Sequence, residues 1–153
     1  MRFPRAEPAT VRQEVPAGRP EDRTRSRIVI VEDSRDAREM LRVLLGLSSH
    51  EVYEADDGPS AVEIIRATEP DVALVDVGLP GFDGYEVARR VRAMREPKDV
   101  FLVALTGYGQ PEDKAAALEA GFDMHIVKPI DQNHLRAVIA EVQRRRGENS
   151  RHS

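Results

Sequence analysis

The chain has 153 residues, no cysteine, 41% hydrophobic residues and a formal net charge of −4. Disulfides, zinc–thiolate sites and a cysteine nucleophile are thereby excluded, and no apolar run approaches the ~20 residues of a membrane-spanning helix. Residues 1–27 carry seven Arg against four acids and residues 142–153 four Arg against one Glu, while residues 28–141 hold 12 basic and 22 acidic residues; an acidic middle between basic ends argues against a folded nucleic-acid reader.

Residues 1–26 contain Pro4, Pro8, Pro16 and Pro20 and no sustained apolar period. They read as a disordered arm or linker, and they lack the apolar middle of a secretory signal, so a cytoplasmic location is expected. Arg27–Val31 is a continuous β-branched run, as a strand buried on both faces requires. Ser34 can cap a helix to about Leu47, with Ala37, Met40, Leu41, Leu44 and Leu45 at helical spacing. Glu51–Ala55 forms a second strand, and Ser60–Ala67 a helix that ends before Glu69-Pro70. Val72–Val75 is a third strand and Gly84–Met94 a helix with Val87, Ala88 and Val91 inward. Val100–Leu105 is a fourth strand; Pro111 opens the next helix and Gly121 closes it. Met124–Val127 is a fifth strand, followed by a helix from Asp131 to about Arg144 and a disordered tail over 145–153. Residues 27–144 are thus one domain.

Five strands and five helices in strict alternation predict an α/β fold, a doubly wound, five-stranded parallel sheet of flavodoxin-like order 2-1-3-4-5. Such sheets place their ligand site beyond the carboxyl ends of the strands. Residues of chemical use stand at those positions. Glu32 and Asp33 follow the first strand, Asp76 the third, Thr106 the fourth and Lys128 the fifth. Three crowded carboxylates repel one another unless a cation neutralises them. An all-oxygen site with room for water and phosphate suits Mg2+. Asp76 then becomes a nucleophile towards phosphorus, with Lys128 and Thr106 holding phosphoryl oxygens.

These residues and their surroundings resemble the response-regulator receiver family of two-component signalling, over roughly Arg27 to Arg144. The motifs are Val-Ile-Val-Glu-Asp-Ser around Glu32-Asp33, Leu-Val-Asp-Val-Gly-Leu-Pro-Gly-Phe-Asp-Gly around Asp76, Ala-Leu-Thr-Gly around Thr106 and Val-Lys-Pro-Ile around Lys128. The resemblance implies that Asp76 accepts a phosphoryl group from a histidine kinase or a histidine phosphotransfer protein. It implies Mg2+ held by Glu32, Asp33, Asp76 and the backbone carbonyl of Gly78. It further implies a cis bond at Lys128-Pro129 and a switch at Thr106. One position departs from the pattern. Three residues before the lysine the family carries Tyr or Phe, and here His125 stands in its place; His125 is expected to turn with Thr106. Activation is then expected to alter the surface of helix 4, strand 5 and helix 5, regulating a downstream protein.

The short Arg-rich end leaves no room for a separate output domain, so a stand-alone regulator, a relay carrier or a hybrid-kinase receiver is expected. The chain would then be no enzyme beyond its own phosphorylation and dephosphorylation. The resemblance also admits a phosphorylation-dependent homodimer, and no specific nucleic acid or membrane partner is expected. A P-loop NTPase would need a Gly-rich Lys-Ser/Thr loop where Glu-Asp-Ser-Arg stands. A flavodoxin would need a Ser/Thr-rich phosphate loop there. A haloacid-dehalogenase phosphatase would need an acid at position 78, which is Gly. A phosphorylation-independent interaction module on the same fold is the remaining alternative. Asp36, Asp56 and Asp57 read as solvated turn or helix-face residues, Asp83-Gly84 as a helix-starting turn, and Met40, Met94 and Met124 as core filler. His50 and His134 lack companions at metal-ligand spacing.

Overall fold

The aliphatic runs become strands because each residue of the central ones has a covered face to occupy. In the computed structural model, which describes residues 26–46, 50–94, 99–107 and 111–152, the order is β1 (Arg27–Val31), α1 (Arg35–Gly46), β2 (Glu51–Ala55), α2 (Gly58–Thr68), β3 (Val72–Asp76), α3 (Gly84–Arg92), β4 (Phe101–Thr106), α4 (Pro111–Ala120), β5 (Met124–Val127) and α5 (Gln132–His152). The sheet is parallel throughout, in the order β2-β1-β3-β4-β5. Every residue of β3 and β4 is buried. Successive side chains point to opposite faces, so two cores form. Val29, Val31, Ala73, Val75, Leu102 and Ala104 pack under α2, α3 and α4. Ile28, Ile30, Val72, Leu74, Val103 and Leu105 pack under α1 and α5 through Leu41, Leu45, Leu135, Val138 and Val142. Each fully buried aliphatic side chain contributes about 1.5–3 kcal/mol.

Local chemistry sets the helix starts. Ser34 Oγ accepts from the Ala37 amide at 3.2 Å, so Ser34 caps α1 as its residue type predicts. Asp83 caps α3 by accepting from the Glu86 amide. Asp57 is not a plain solvated turn residue: its carboxylate caps α2 by accepting from the Ser60 amide at 2.8 Å, and the helix begins at Gly58. Gly121, at φ 115°, lets the chain leave α4, with the Gly121 and Phe122 amides donating to the Ala117 carbonyl.

Two further expectations are corrected. Met40 is 61% exposed and fills no core, because α1 turns Leu41 and Leu45 inward instead. Helix α5 does not fray at residue 145 but continues to His152. The Arg145 guanidinium lies 4.9 Å over the Phe101 ring and 3.8 Å from Asp123, and Arg146 donates to Ser26 Oγ. These contacts to the amino-terminal rim of the sheet give the extra turns something to hold. Of the expected arm over 1–26 only Ser26 is described, and it is buried and accepts from Arg146; the rest of the arm and the end of α1 at Leu47 lie outside the described residues. Among the described residues no helix is long and apolar enough to cross a membrane.

Candidate functional site

Parallel strands that end in register deliver their next residues to one rim. Val31 pairs with Val75, and Asp76 with Leu105. Glu32, the residue after β1, and Thr106, the last of β4, therefore flank the end of β3. Glu32 and Asp76 are buried, at 2% and 7% exposure, as is Thr106, while Asp33 is exposed. Glu32, Asp33 and Asp76 each offer a carboxylate oxygen, and the three oxygens lie within 4.8 Å of one another. Lys128 reaches across from the end of β5. Its Nζ stands 3.2 Å from Glu32 Oε1 and 3.3 Å from Asp76 Oδ2. The Lys128-Pro129 bond is cis.

Each carboxylate has defined partners. Asp76 Oδ1 accepts from the Gly78 amide at 2.9 Å, leaving Oδ2 to the ammonium. Glu32 Oε2 accepts from the Ser34 amide at 3.2 Å, so the turn that starts α1 also orients the acid. Burial, followed by the proximity of Asp76, raises the Glu32 pKa above the usual carboxylate value. Burial works against the Lys128 ammonium, but the Asp76 and Glu32 charges outweigh it and hold its pKa above the ordinary lysine value. Three carboxylates against one ammonium leave a formal excess of two negative charges at the rim. An all-oxygen donor set with that charge fits a hard divalent cation such as Mg2+.

All the expected side chains are thus brought together except that Thr106 faces a different partner. Its Oγ1 lies 3.1 Å from His125 Nε2 on the neighbouring strand. Three contributors escaped sequence reasoning. Arg38 Nη1 donates to the carbonyl oxygens of Glu32 at 2.9 Å and Asp33 at 3.5 Å; its place one turn into the helix after the acid pair was the available signal. Gly84 packs so closely that a Cβ there would stand 2.6 Å from Asp76 O and from Val77 Cα. Gly58 likewise leaves room for Phe82, whose ring carbon Cδ1 would lie 2.0 Å from a Cβ at that position.

Comparison with known proteins places this arrangement. A family model described as the response regulator receiver domain matches residues 28–140. The phosphate regulon transcriptional regulatory protein PhoB of Pseudomonas aeruginosa is 37% identical over 120 residues, covering 78% of this chain and 52% of PhoB. The chain spans about half the length of the curated transcriptional regulators it matches. The receiver domain of a sensor histidine kinase from Pseudomonas aeruginosa, solved with a magnesium ion coordinated in its active site cleft, superposes with a TM-score of 0.71 at 27% identity, covering 77% of this chain and 97% of that one. Chemotaxis protein CheY4 of Vibrio cholerae gives a TM-score of 0.71 at 28% identity, covering 76% and 98%.

Proposed function

The chain belongs to the response regulator receiver domain family of two-component signalling, and from that premise we propose that Asp76 is its phosphoacceptor. Receiver domains are phosphorylated on aspartate by histidine kinases. The observation that carries the assignment is the position of Lys128 Nζ, between Glu32 and Asp76 at a rim where three carboxylates converge. Glu32, Asp33, Asp76 and the Gly78 carbonyl would hold Mg2+. When bound, the ion supplies positive charge that offsets the acids and the phosphoryl oxygens.

An Asp76 carboxylate oxygen attacks phosphorus, forming the O–P bond as the N–P bond to the kinase imidazole breaks. The departing imidazole nitrogen keeps the electron pair and takes up a proton. Lys128 and the Thr106 hydroxyl bind phosphoryl oxygens, and the hydrogen bonds of Gly78 and Ser34 fix the two buried acids beforehand. The chain acts as a signalling phosphoacceptor that turns over only its own phosphoryl group. The donor is a histidine kinase or a histidine phosphotransfer protein.

The Thr106–His125 contact joins the site to β5. When the hydroxyl turns to the phosphoryl group it leaves His125, and the freed ring changes the surface of α4, β5 and α5 for a downstream protein. His125→Ala should abolish the phosphorylation-dependent NMR shifts on that surface; full retention of them would remove His125 from the switch. The main test is incubation with acetyl phosphate and Mg2+. Wild type should gain one phosphoryl group by mass spectrometry and Asp76→Asn none. Equal labelling of the two proteins would refute the assignment.

A further inference from the structure

We propose that Arg38 is a positioning residue for the metal-binding acids, fixing the Glu32–Asp33 backbone so that both carboxylates face Asp76. The inference rests on the reading that Mg2+ binds the acid cluster. Strand β1 ends at Val31, and the Glu32 amide still donates to Ala55 O at 3.1 Å. Beyond that tie the backbone leaves the sheet, and its next two carbonyls both turn to one guanidinium nitrogen, Arg38 Nη1. The same guanidinium is anchored from its other side. Its Nε pairs with Glu54 Oε1 at 3.3 Å, while Glu54 Oε2 is held by Arg42 at 2.6 Å. The Arg38 side chain is only 18% exposed, so the fork is held in a wall and is not a free surface charge.

Glu32 has two further restraints on its carboxylate, from Ser34 and Lys128. Asp33 is exposed, and the course of its backbone decides where its carboxylate points. A planar guanidinium with several donors in fixed directions can hold two carbonyls and a carboxylate together, which an ammonium cannot do in the same geometry. Residues that orient metal ligands in this way govern metal affinity without touching the ion.

Electrostatics alone predicts the opposite sign for the same substitution. A positive side chain beside a cation site opposes binding, so deleting its charge should tighten Mg2+. The full chain, as wild type, Arg38→Gln and Arg38→Lys, is titrated with MgCl2 by isothermal calorimetry, and folding of each without metal is followed by circular dichroism. Positioning predicts a Kd for Mg2+ raised about 10-fold in Arg38→Gln, with Arg38→Lys between it and wild type. Equal or tighter binding by folded Arg38→Gln overturns the inference and leaves the phosphoacceptor reading standing. Should Arg38→Gln not fold, Arg38→Lys decides, and an unchanged Kd in it overturns the proposal. Absence of Mg2+ binding by wild type would remove the metal reading and this inference with it.

Discussion

Gly84→Ala and Gly147→Ala exchange the same hydrogen for the same methyl in two helices, yet they should move stability in opposite directions. Gly84 opens α3 directly beneath the end of β3, and a Cβ there would lie 2.6 Å from Asp76 O and 2.6 Å from Val77 Cα. Both obstacles are backbone, tied by β3 to the centre of the sheet, and neither can turn aside as a side-chain tip could. An ordinary carbon contact needs about 3.5–4.0 Å, so the helix must retreat from the strand by roughly 1 Å. Such overpacking costs about 1–3 kcal/mol, and of the ~1 kcal/mol that Ala gains over Gly in a helix interior only part is available at Gly84, the first residue of α3 after its cap Asp83. Gly147 lies within α5 and meets nothing within 4 Å. There only the helix preference acts, and Ala should stabilise by about 0.5–1 kcal/mol. Urea denaturation followed by circular dichroism, with comparable slopes, gives both values. Because the Gly84 amide donates to the Val77 carbonyl at 3.4 Å, the retreat pulls on the turn that follows Asp76, and Gly84→Ala should also slow labelling by acetyl phosphate. A Gly84→Ala protein as stable as wild type would refute the contact argument.

Glu32 provides a pH test. Its folded pKa is raised above the ordinary carboxylate value of 4.5 by burial and then by Asp76, so the folded chain holds this proton more tightly than the unfolded one. The contribution to stability is therefore fully present below pH 4.5 and is lost as pH rises through the higher folded value. Without metal, the urea midpoint of Glu32→Gln relative to wild type should rise with pH across that window, while wild-type Mg2+ affinity increases over the same range. A relative midpoint that is flat or falls with pH contradicts the assignment. At the opposite rim, Arg145→Ala should lose the Phe101 stacking and the Asp123 pairing, together worth about 1 kcal/mol. If Arg145→Ala melts with wild type, those contacts do not explain why α5 extends past residue 144.

Much of this protein was legible in the linear order of its residues, for physical reasons that act locally. A β-branched run such as Val72–Val75 has one economical way to bury both faces, and strict alternation with helices leaves few topologies. Once the sheet is parallel, the residue after each strand belongs to the ligand rim. Glu32, Asp33, Asp76, Thr106 and Lys128 could accordingly be grouped although 96 positions separate the first from the last. The caps at Ser34 and Asp83 were equally local. The start of α2 was not. Asp57 rather than Ser60 bounds α2, where the absence of a Cβ at Gly58 lets the Phe82 ring seat against the helix.

What only the tertiary structure decided depends on surfaces that sequence neighbours do not share. The Arg-rich end looks like a tail until Phe101, Asp123 and Ser26 are brought beneath it. Met40 and Leu41 are adjacent apolar residues, and the direction of α1 over the sheet buries one and exposes the other. Arg38 resembles any other charged helix residue until the chain turn at Glu32–Asp33 presents two carbonyls to it. Residue types and periods determined which elements form and which side chains reach the rim. The angles at which those elements meet determined how the rim is held, because hydrogen bonds and packing act over a few ångströms of space regardless of distance along the chain.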